Sequence, residues 1–295
     1  MDEVLSALFP PDAPDRPRTL VDCTLGRGGH ALAIANRLPE GSTLLALDRD
    51  ERNLKYAADR LKAVSGKVRF FHANFAELPD VLEATSLTTV DGILADLGVS
   101  TNQLFDAQYG LSFQTDGPLD MRLSADDPFT AHELVNRWSE EDIANTLYEL
   151  ADERLSRRIA RKIVEERQRR PINSTRRLAD MVRDVVRRAV PRSSAETIDP
   201  ATRTFLALRM AVNREVENLR TLLEQAPGHL SPFAPLAIIS FQSTEDRIVK
   251  HAFRRLASDG VLDIVTKRPV EPTEAEIARN PRSRSSKLRV AIKTK

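Results

Sequence analysis

Four short apolar runs in the first hundred residues, each parted from the next by a more polar stretch, constrain this chain more than any other feature. The runs are Thr19 to Cys23, Thr43 to Leu47, Val68 to His72 and Asp91 to Ala95. Between the first three, "HALAIANRL" and "ERNLKYAADRLKAV" repeat apolar residues at helical spacing, with Leu54, Ala57, Ala58 and Leu61 on one face. Strands that alternate with helices make βαβ units, and those units build a parallel sheet wound on both faces. The alternation stops at Leu97. The 139 residues from Leu97 to Pro235 hold no convincing strand, and the pattern returns only with "LAIISF" from Leu236. A parallel crossover needs only about a dozen residues, so the interval predicts a separate body inserted between two strands of one sheet.

The interval reads as helices. "SEEDIANTLYELADE" opens with Ser139 and Asp142 at capping-box spacing and sets Ile143, Leu147 and Leu150 on one stripe. "RRLADMVRDVVRRAV" repeats the pattern through Leu178, Met181, Val182, Val185 and Val186. The sheet then resumes with "LAIISF", a helix at "EDRIVKHAFRRLAS" and strands at "VLDIVT" and "KLRVAIKT". The expectation is an α/β chain, with a Rossmann-like sheet domain over 1–104 and 214–295 and an inserted all-helical subdomain over 105–213.

Composition narrows the setting. With 41% hydrophobic and 29% charged residues the chain is globular, not disordered. Its one cysteine, Cys23, rules out an internal disulfide and fits a reducing compartment. No stretch approaches the roughly 18 apolar residues of a membrane span, and the start lacks the basic and apolar regions of a leader. A cytoplasmic protein with no membrane partner is expected. Five histidines and one cysteine are scattered singly, so no metal site is expected. The net charge of +1 hides an uneven distribution. Asp116 to Glu153 carry eleven acidic and two basic residues, Arg154 to Arg192 fourteen basic and four acidic, and Ala278 to Lys295 seven basic and no acidic. Basic segments of this kind suit a phosphate backbone, although a charge run is also the ordinary make-up of a solvated helix face.

The chemistry concentrates after the first strand, in "VDCTLGRGGH". Gly26, Gly28 and Ala31 satisfy G-x-G-x-x-A, a turn that lets a backbone approach a ligand closely. Asp48 follows 22 residues after Gly26 at the end of the second strand, where an acid accepts hydrogen bonds from ribose hydroxyls. A dinucleotide and S-adenosylmethionine both use this arrangement. Asp22 favours the second, because a carboxylate there attracts a cationic methionine end and repels a pyrophosphate. "ADLGVS" then places Asp96 over the carboxyl edge of the sheet, where open α/β folds bind ligands.

Six motifs in order, "TLGRGGH", "DGILADLGVS", "DGPLDMR", "PATRTFLALRMAVNREVENL", "ISFQSTEDRIVK" and "NPRSRSSKLRV", make the chain resemble the bacterial small-subunit (16S) rRNA cytosine-N4 methyltransferases over nearly its whole length. The resemblance implies a class I S-adenosylmethionine-dependent methyltransferase sheet and methyl transfer to the exocyclic N4 of a cytidine in small ribosomal subunit RNA. It implies S-adenosylmethionine contacts from Gly28, Gly29, His30, Asp48, Phe75, Asp96 and Gln103. Asp96, or the Leu97 carbonyl, would orient N4. Asp120, Arg122, Arg203, Asn213, Asp246 and Arg247 would form the wall facing the cytidine, with Arg282, Arg284, Lys287, Arg289 and the arginines of 154–192 on phosphates. Two departures stand out. The chain opens at "MDEVLSAL" without the family's His-x-Pro-Val segment, and Gln242 in "ISFQS" replaces an imidazole, which titrates near neutrality where an amide does not. Two rivals remain at this level: a noncatalytic RNA-binding ribosome-assembly factor that kept the fold, and a nicotinamide-dependent oxidoreductase. A homodimer is left open, since nothing in the sequence fixes the oligomeric state.

Overall fold

The structure is a computed structural model and describes residues 1–11, 16–64, 67–189 and 199–295. The central part of the proline-rich "PPDAPDRP", together with Val190 and Arg192, falls outside the described residues. The chain divides into two compact units, Met1–Gly98 with Val216–Lys295, and Val99–Glu215.

The first unit is built on seven strands, β1 (Thr19–Asp22), β2 (Thr43–Asp48), β3 (Lys67–His72), β4 (Ile93–Asp96), β5 (Pro235–Ser240), β6 (Leu262–Ile264) and β7 (Lys287–Lys293). They lie in the order β3-β2-β1-β4-β5-β7-β6. The first five run parallel, and β7 runs antiparallel to both β5 and β6. Period-two alternation sorts the strand residues onto two faces. Val21, Leu45, Leu47, Ile93, Ala95, Leu236 and Ile238 point into one core with Leu78, Val81, Leu219, Leu222, Val249 and Phe253. Leu20, Leu44, Ala46, Leu94, Ala237 and Ile239 point into the other with Leu5, Leu8, Ala31, Ile34, Leu54 and Ala57. Burial on both faces explains why β2 and β5 read as continuous apolar runs.

The helices behind these residues are α1 (Asp2–Leu8), α2 (Gly29–Ala35), α3 (Glu51–Leu61) and α4 (Leu78–Ala84). α2 and α3 follow β1 and β2 onto the second face, and α4 follows β3 onto the first. β2 and β3 thus extend the sheet on one side of β1, while β4 and β5 extend it on the other. The carboxyl ends of β1 and β4 flank this switch point, the place where open α/β sheets take ligands.

No strand lies between Asp96 and Pro235 among the described residues. The second unit holds α5 (Thr101–Phe105), α6 (Ala131–Arg137), α7 (Glu140–Ala151), α8 (Ser156–Arg169), α9 (Thr175–Ala189) and α10 (Ala201–Val212). They share a core of their own, centred on Leu134, Ile143, Leu147, Ile159, Ile163, Leu178, Phe205 and Leu208. The units part at Gly98 and Glu215, where the sequence reading parted them at 104 and 213. Val99 and Leu104 pack on the helical core, and Glu215 makes a two-pronged ion pair with Arg209 of α10 at 2.8 Å. Those contacts draw both boundary segments into the helical unit. The cap at Ser139 is present, its hydroxyl oxygen accepting from the Asp142 amide, but the reciprocal bond is a hydroxyl-to-carboxylate one at 2.7 Å. Asp142 meets the serine hydroxyl where a capping-box glutamate meets the backbone amide.

The remaining helices, α11 (Glu215–Gln225), α12 (Ser243–Ser258) and α13 (Glu274–Arg279), accompany the last strands. Glu245, third in α12, reaches back to accept from the amides of Phe241 and Gln242 at 3.1 Å each. Gln242, the residue that departs from the family pattern, is the N-cap position of this long helix.

Candidate functional site at the carboxyl edge of the sheet

Three acids end three adjacent strands: Asp48 on β2, Asp22 on β1 and Asp96 on β4. The glycine turn runs from β1 into α2, and two of its glycines, Gly26 and Gly28, have positive φ, which an L side chain adopts only with strain. A Cβ at Gly28 would also press on Ala57 of α3 at 3.3 Å, whereas one at Gly29 would meet open space. Gly28 thus serves turn and packing, and Gly29 is the position that leaves the backbone bare to a ligand.

Asp48 holds this turn in place. Its Oδ2 accepts from the Gly26 amide at 2.7 Å and from Asn53 at 3.3 Å, and its Oδ1 accepts from the Asp50 amide at 2.8 Å. A carboxylate has about four lone-pair sites, so one is left, and a ribose diol offering two hydrogens would displace the long Asn53 bond. Burial pushes the Asp48 carboxyl up to about 7, against the pull of the Asp50 and Gly26 amides. Phe75, which follows β3, starts a short 3-10 turn and is partly buried against the first core, leaving part of its ring accessible at the same edge.

Asp22 is wholly buried, with Oδ1 accepting from the Thr24 amide at 3.1 Å and Oδ2 without a partner. Burial raises its carboxyl to about 6, opposed by the charge of His30. His30 lies in the first turn of α2, and its Nε2 sits 3.4 Å from Asp96 Oδ2. Burial disfavours the imidazolium, but the hydrogen bond and charge of Asp96, with the charge of Asp22, outweigh it and raise the pKa. Asp96 Oδ1 and His30 Nδ1 are buried and have no partner in the protein. Thr24 ties the strand ends together, because its hydroxyl oxygen accepts from the Asp96 amide at 2.6 Å. Sequence reasoning passed over Thr24, whose only signal was its place between Asp22 and the glycines. Cys23, also in this turn, is buried, and its thiol is pushed upward by that burial and by Asp22.

These groups fit S-adenosylmethionine. A bare Gly29, a carboxylate with one free lone pair at the β2 end, a partly exposed aromatic after β3, and orphaned polar atoms at the β1 and β4 ends suit a ribose, an adenine and a cationic methionine arm. Among the described residues no group of three His, Cys, Asp or Glu side chains is placed to hold a metal ion.

The other expected site residues have varied settings. Gln103 belongs to the second unit, is 3% exposed, and its Oε1 accepts from the amide and hydroxyl of Ser100 at 2.9 and 2.8 Å, closing the start of α5. Asp120 and Arg122, also in the second unit, form a two-pronged pair at 2.8 and 3.0 Å, and Arg122 further donates to the Ala125 carbonyl. Asn213 is wholly buried: its Oδ1 accepts from the Leu123 amide, and its Nδ2 donates to the carbonyls of Met121 and Arg209. That amide braces the "DMR" loop, where Met121 takes a positive φ, and presents no surface to a nucleotide. Arg203 is half-buried on α10. In the first unit Arg247 is exposed on α12, while Asp246 beside it is clamped by Arg289 at 2.7 and 3.2 Å, with Lys287 at 3.7 Å. Arg289 is 6% exposed, which corrects its assignment to phosphate contact. Arg282 and Arg284 are exposed.

The sequence profile of the MraW methylase family matches residues 1–294. Curated relatives that match carry the name ribosomal RNA small subunit methyltransferase H. The one from Koribacter versatilis is 46% identical over 94% of this chain and 88% of its own length, and that from Synechococcus elongatus is 46% identical over 94% and 89%. The relative from Pelobacter propionicus is 43% identical over 99% and 96%. Among solved structures, an rRNA methylase from Streptococcus thermophilus aligns with all of this chain and 93% of its own at 10% identity and a TM-score of 0.44, a likeness too distant to carry an argument.

Proposed function

The chain belongs to the MraW methylase family, and from that premise we propose that it methylates the exocyclic N4 of a cytidine in small-subunit ribosomal RNA, with S-adenosylmethionine as donor. The observation that carries the reading is Asp96, which closes β4 at the switch point with Oδ2 held by His30 and Oδ1 buried and unused. When bound, the cofactor supplies a methyl group on a sulfonium. Gly29, His30, Asp48, Phe75 and Asp96 would hold it, with Gly28 shaping the turn. Asp48 would take the ribose, and Phe75 would lie beside the adenine. N4 is a poor nucleophile because its lone pair is delocalised into the ring. Asp96 holds one N–H and favours the geometry in which that lone pair is released, a contribution of positioning and electrostatics.

In this reading Asp120, Arg122 and Arg203 of the second unit, and Arg247 of the first, contact the cytidine and its flanking phosphates. Within the second unit Gln103 and Asn213 fix α5 and the "DMR" loop, and within the first Asp246 fixes the Arg289 side chain. Exposed arginines on α8 and Arg282 and Arg284 take the RNA backbone, and the target base is unstacked or already single-stranded. No helix among the described residues is long and apolar enough to cross a membrane. In this reading the protein works where its ribosomal substrate is, in the cytoplasm.

Label transfer from methyl-tritiated S-adenosylmethionine to unmethylated small ribosomal subunits and to naked RNA, with mass spectrometry of the nucleosides, tests this. N4-methylcytidine that is lost in Asp96→Ala is expected. Cofactor binding without transfer to either substrate would overturn this choice of RNA in favour of a changed target, and no cofactor binding at all would overturn the enzyme reading in favour of the noncatalytic assembly factor.

A further inference from the structure

Helix α12, which carries the chain from β5 to β6, has an outer face made of basic side chains. Arg247, His251, Arg254 and Arg255 are exposed and Lys250 is half-buried. At about 100° per residue, Arg247, His251 and Arg254 share an arc of about 60°, with Lys250 on one flank and Arg255 on the other. Val249, Phe253 and Leu256 lie on the opposite side, enclosed in the first core, with Ile248 and Ala252 packed against it. That burial fixes the direction in which the row faces. From Arg247 to Arg255 the row runs about 12 Å at the rise of an α-helix. It also has a definite placement on the sheet. β5 runs parallel to β4, so its carboxyl end lies at the edge that holds Asp48, Asp22 and Asp96. α12 begins just past that end, at Ser243, and returns toward the amino edge before β6. Arg247 is therefore nearest the candidate site, and the row leads away from it.

Cations on other helices meet acids three or four residues away: Lys55 meets Glu51 at 3.0 Å on α3, Lys162 meets Glu166 at 2.8 Å on α8, and Arg183 meets Asp180 at 2.9 Å on α9. On α12, Arg247, Lys250, Arg254 and Arg255 make no ion pair among the described residues. The acids of this helix are engaged elsewhere. Glu245 accepts from the amides at the helix start, and Asp246 is clamped by Arg289. The helix dipole accounts for Arg255, in the last turn, and not for Arg247 or Lys250.

We propose that the outer face of α12 is a docking ridge for the phosphate backbone of the RNA flanking the target cytidine, adding affinity that does not depend on base sequence. The inference rests on the RNA methyltransferase reading above and adds to it a surface away from the reacting atoms. Cations that neutralise phosphates release condensed counterions, which is the main source of sequence-independent affinity for nucleic acid. Arginine suits the task because its planar fork can meet two phosphate oxygens at once. An anionic lipid surface carries the same sign of charge. A helix that lies in such a surface buries its apolar face there, however, and that of α12 is already enclosed in the core. None of the exposed large hydrophobic residues among those described belongs to α12.

The test measures RNA binding by the full chain without cofactor over a series of salt concentrations, on naked small-subunit ribosomal RNA and on an RNA duplex of unrelated sequence. The variant combining Lys250→Gln, Arg254→Gln and Arg255→Gln leaves Arg247 in place, because the methyltransferase reading gives that residue to the substrate. Its slope of log K against log salt is expected to fall by about 2 to 3 on both RNAs, at about 0.7–0.9 for each phosphate no longer neutralised. The variant combining Lys250→Arg, Arg254→Lys and Arg255→Lys keeps every charge and is expected to keep the wild-type slope. An unchanged slope in the glutamine variant overturns the proposal and makes the row a solvated helix face. A fall on the ribosomal RNA alone overturns it too, since that means contact with bases. So does loss of binding to vesicles of anionic phospholipid with both RNA slopes unmoved, which assigns the face to a membrane surface. Absence of methyl transfer by the wild-type chain defeats the methyltransferase reading instead, and the salt dependence still decides whether α12 binds RNA.

Discussion

The Asp48 carboxyl, lifted to about 7 by burial, makes cofactor affinity a function of pH. Ribose hydroxyls donate to the anion and gain nothing from the neutral acid's proton. Below the Asp48 pKa, binding must therefore expel a proton, and affinity for S-adenosylmethionine strengthens about tenfold per unit as pH rises toward 7, then levels off. Calorimetry across that range checks the slope, and Asp48→Asn is expected to remove this part of it while weakening binding throughout. Asp246 makes a different kind of prediction. It neutralises Arg289, which is nearly enclosed, so Asp246→Ala strands a buried cation at a cost of about 3–5 kcal/mol. Chemical denaturation is expected to show that loss in the absence of any ligand. A variant that instead kept its stability and lost only RNA binding would restore Asp246 to the substrate wall. Partners such as Arg289 and Thr24 were invisible along the sequence. Arg289 lies 43 residues from Asp246 and faces it only because of where β7 runs beside β5.

Among the elements, the loop ahead of α6 is held by glycines whose role is steric. A Cβ on Gly117 would lie 2.3 Å from the Ala107 carbonyl oxygen, and one on Gly110, at φ 64°, 1.9 Å from that of Pro118. Gly117→Ala is expected to cost about 2–4 kcal/mol, because both obstacles are backbone and neither can swing aside. Its thermal midpoint compared with wild type decides this. The motif "DGPLDMR" was legible, but its glycine and the Asn213 brace could be read only once the two backbone segments were seen in contact. Helix α9 shows the opposite case. Its amphipathic spacing announced the buried stripe of Leu178, Met181 and Val182, and the charge count over 154–192 announced a basic surface, with Arg157 and Arg158 exposed on α8. If these arginines follow RNA phosphates, alanine at either lowers the slope of log K against log salt by about 0.7–0.9 for each phosphate no longer neutralised, nearly independent of RNA sequence. A sequence-specific loss of affinity with an unchanged slope would rule that out.

At the scale of the whole molecule, the break in strand periodicity at Leu97 announced an interrupted sheet, and β5 resumes it within one residue of the expected start. Strands could be read because both faces of a parallel sheet are covered, which makes their sequences apolar throughout. The unit boundaries shifted by up to six residues because Val99 to Leu104 and Glu215 are claimed by contacts made far along the chain. The helical unit has an independent core, so residues 99–215 alone are expected to fold with a cooperative melt and a helical circular dichroism spectrum. A non-cooperative melt would show that it depends on the sheet unit for its stability. Cys23 offers a way to follow both units together. It is the chain's only thiol, buried and shifted away from its reactive thiolate form. The native protein is therefore a silent background for maleimide chemistry. Tyr148→Cys and Val265→Cys, at exposed positions one in each unit, would accept a dye pair whose energy transfer reports in solution how far apart the units stand before and after RNA arrives.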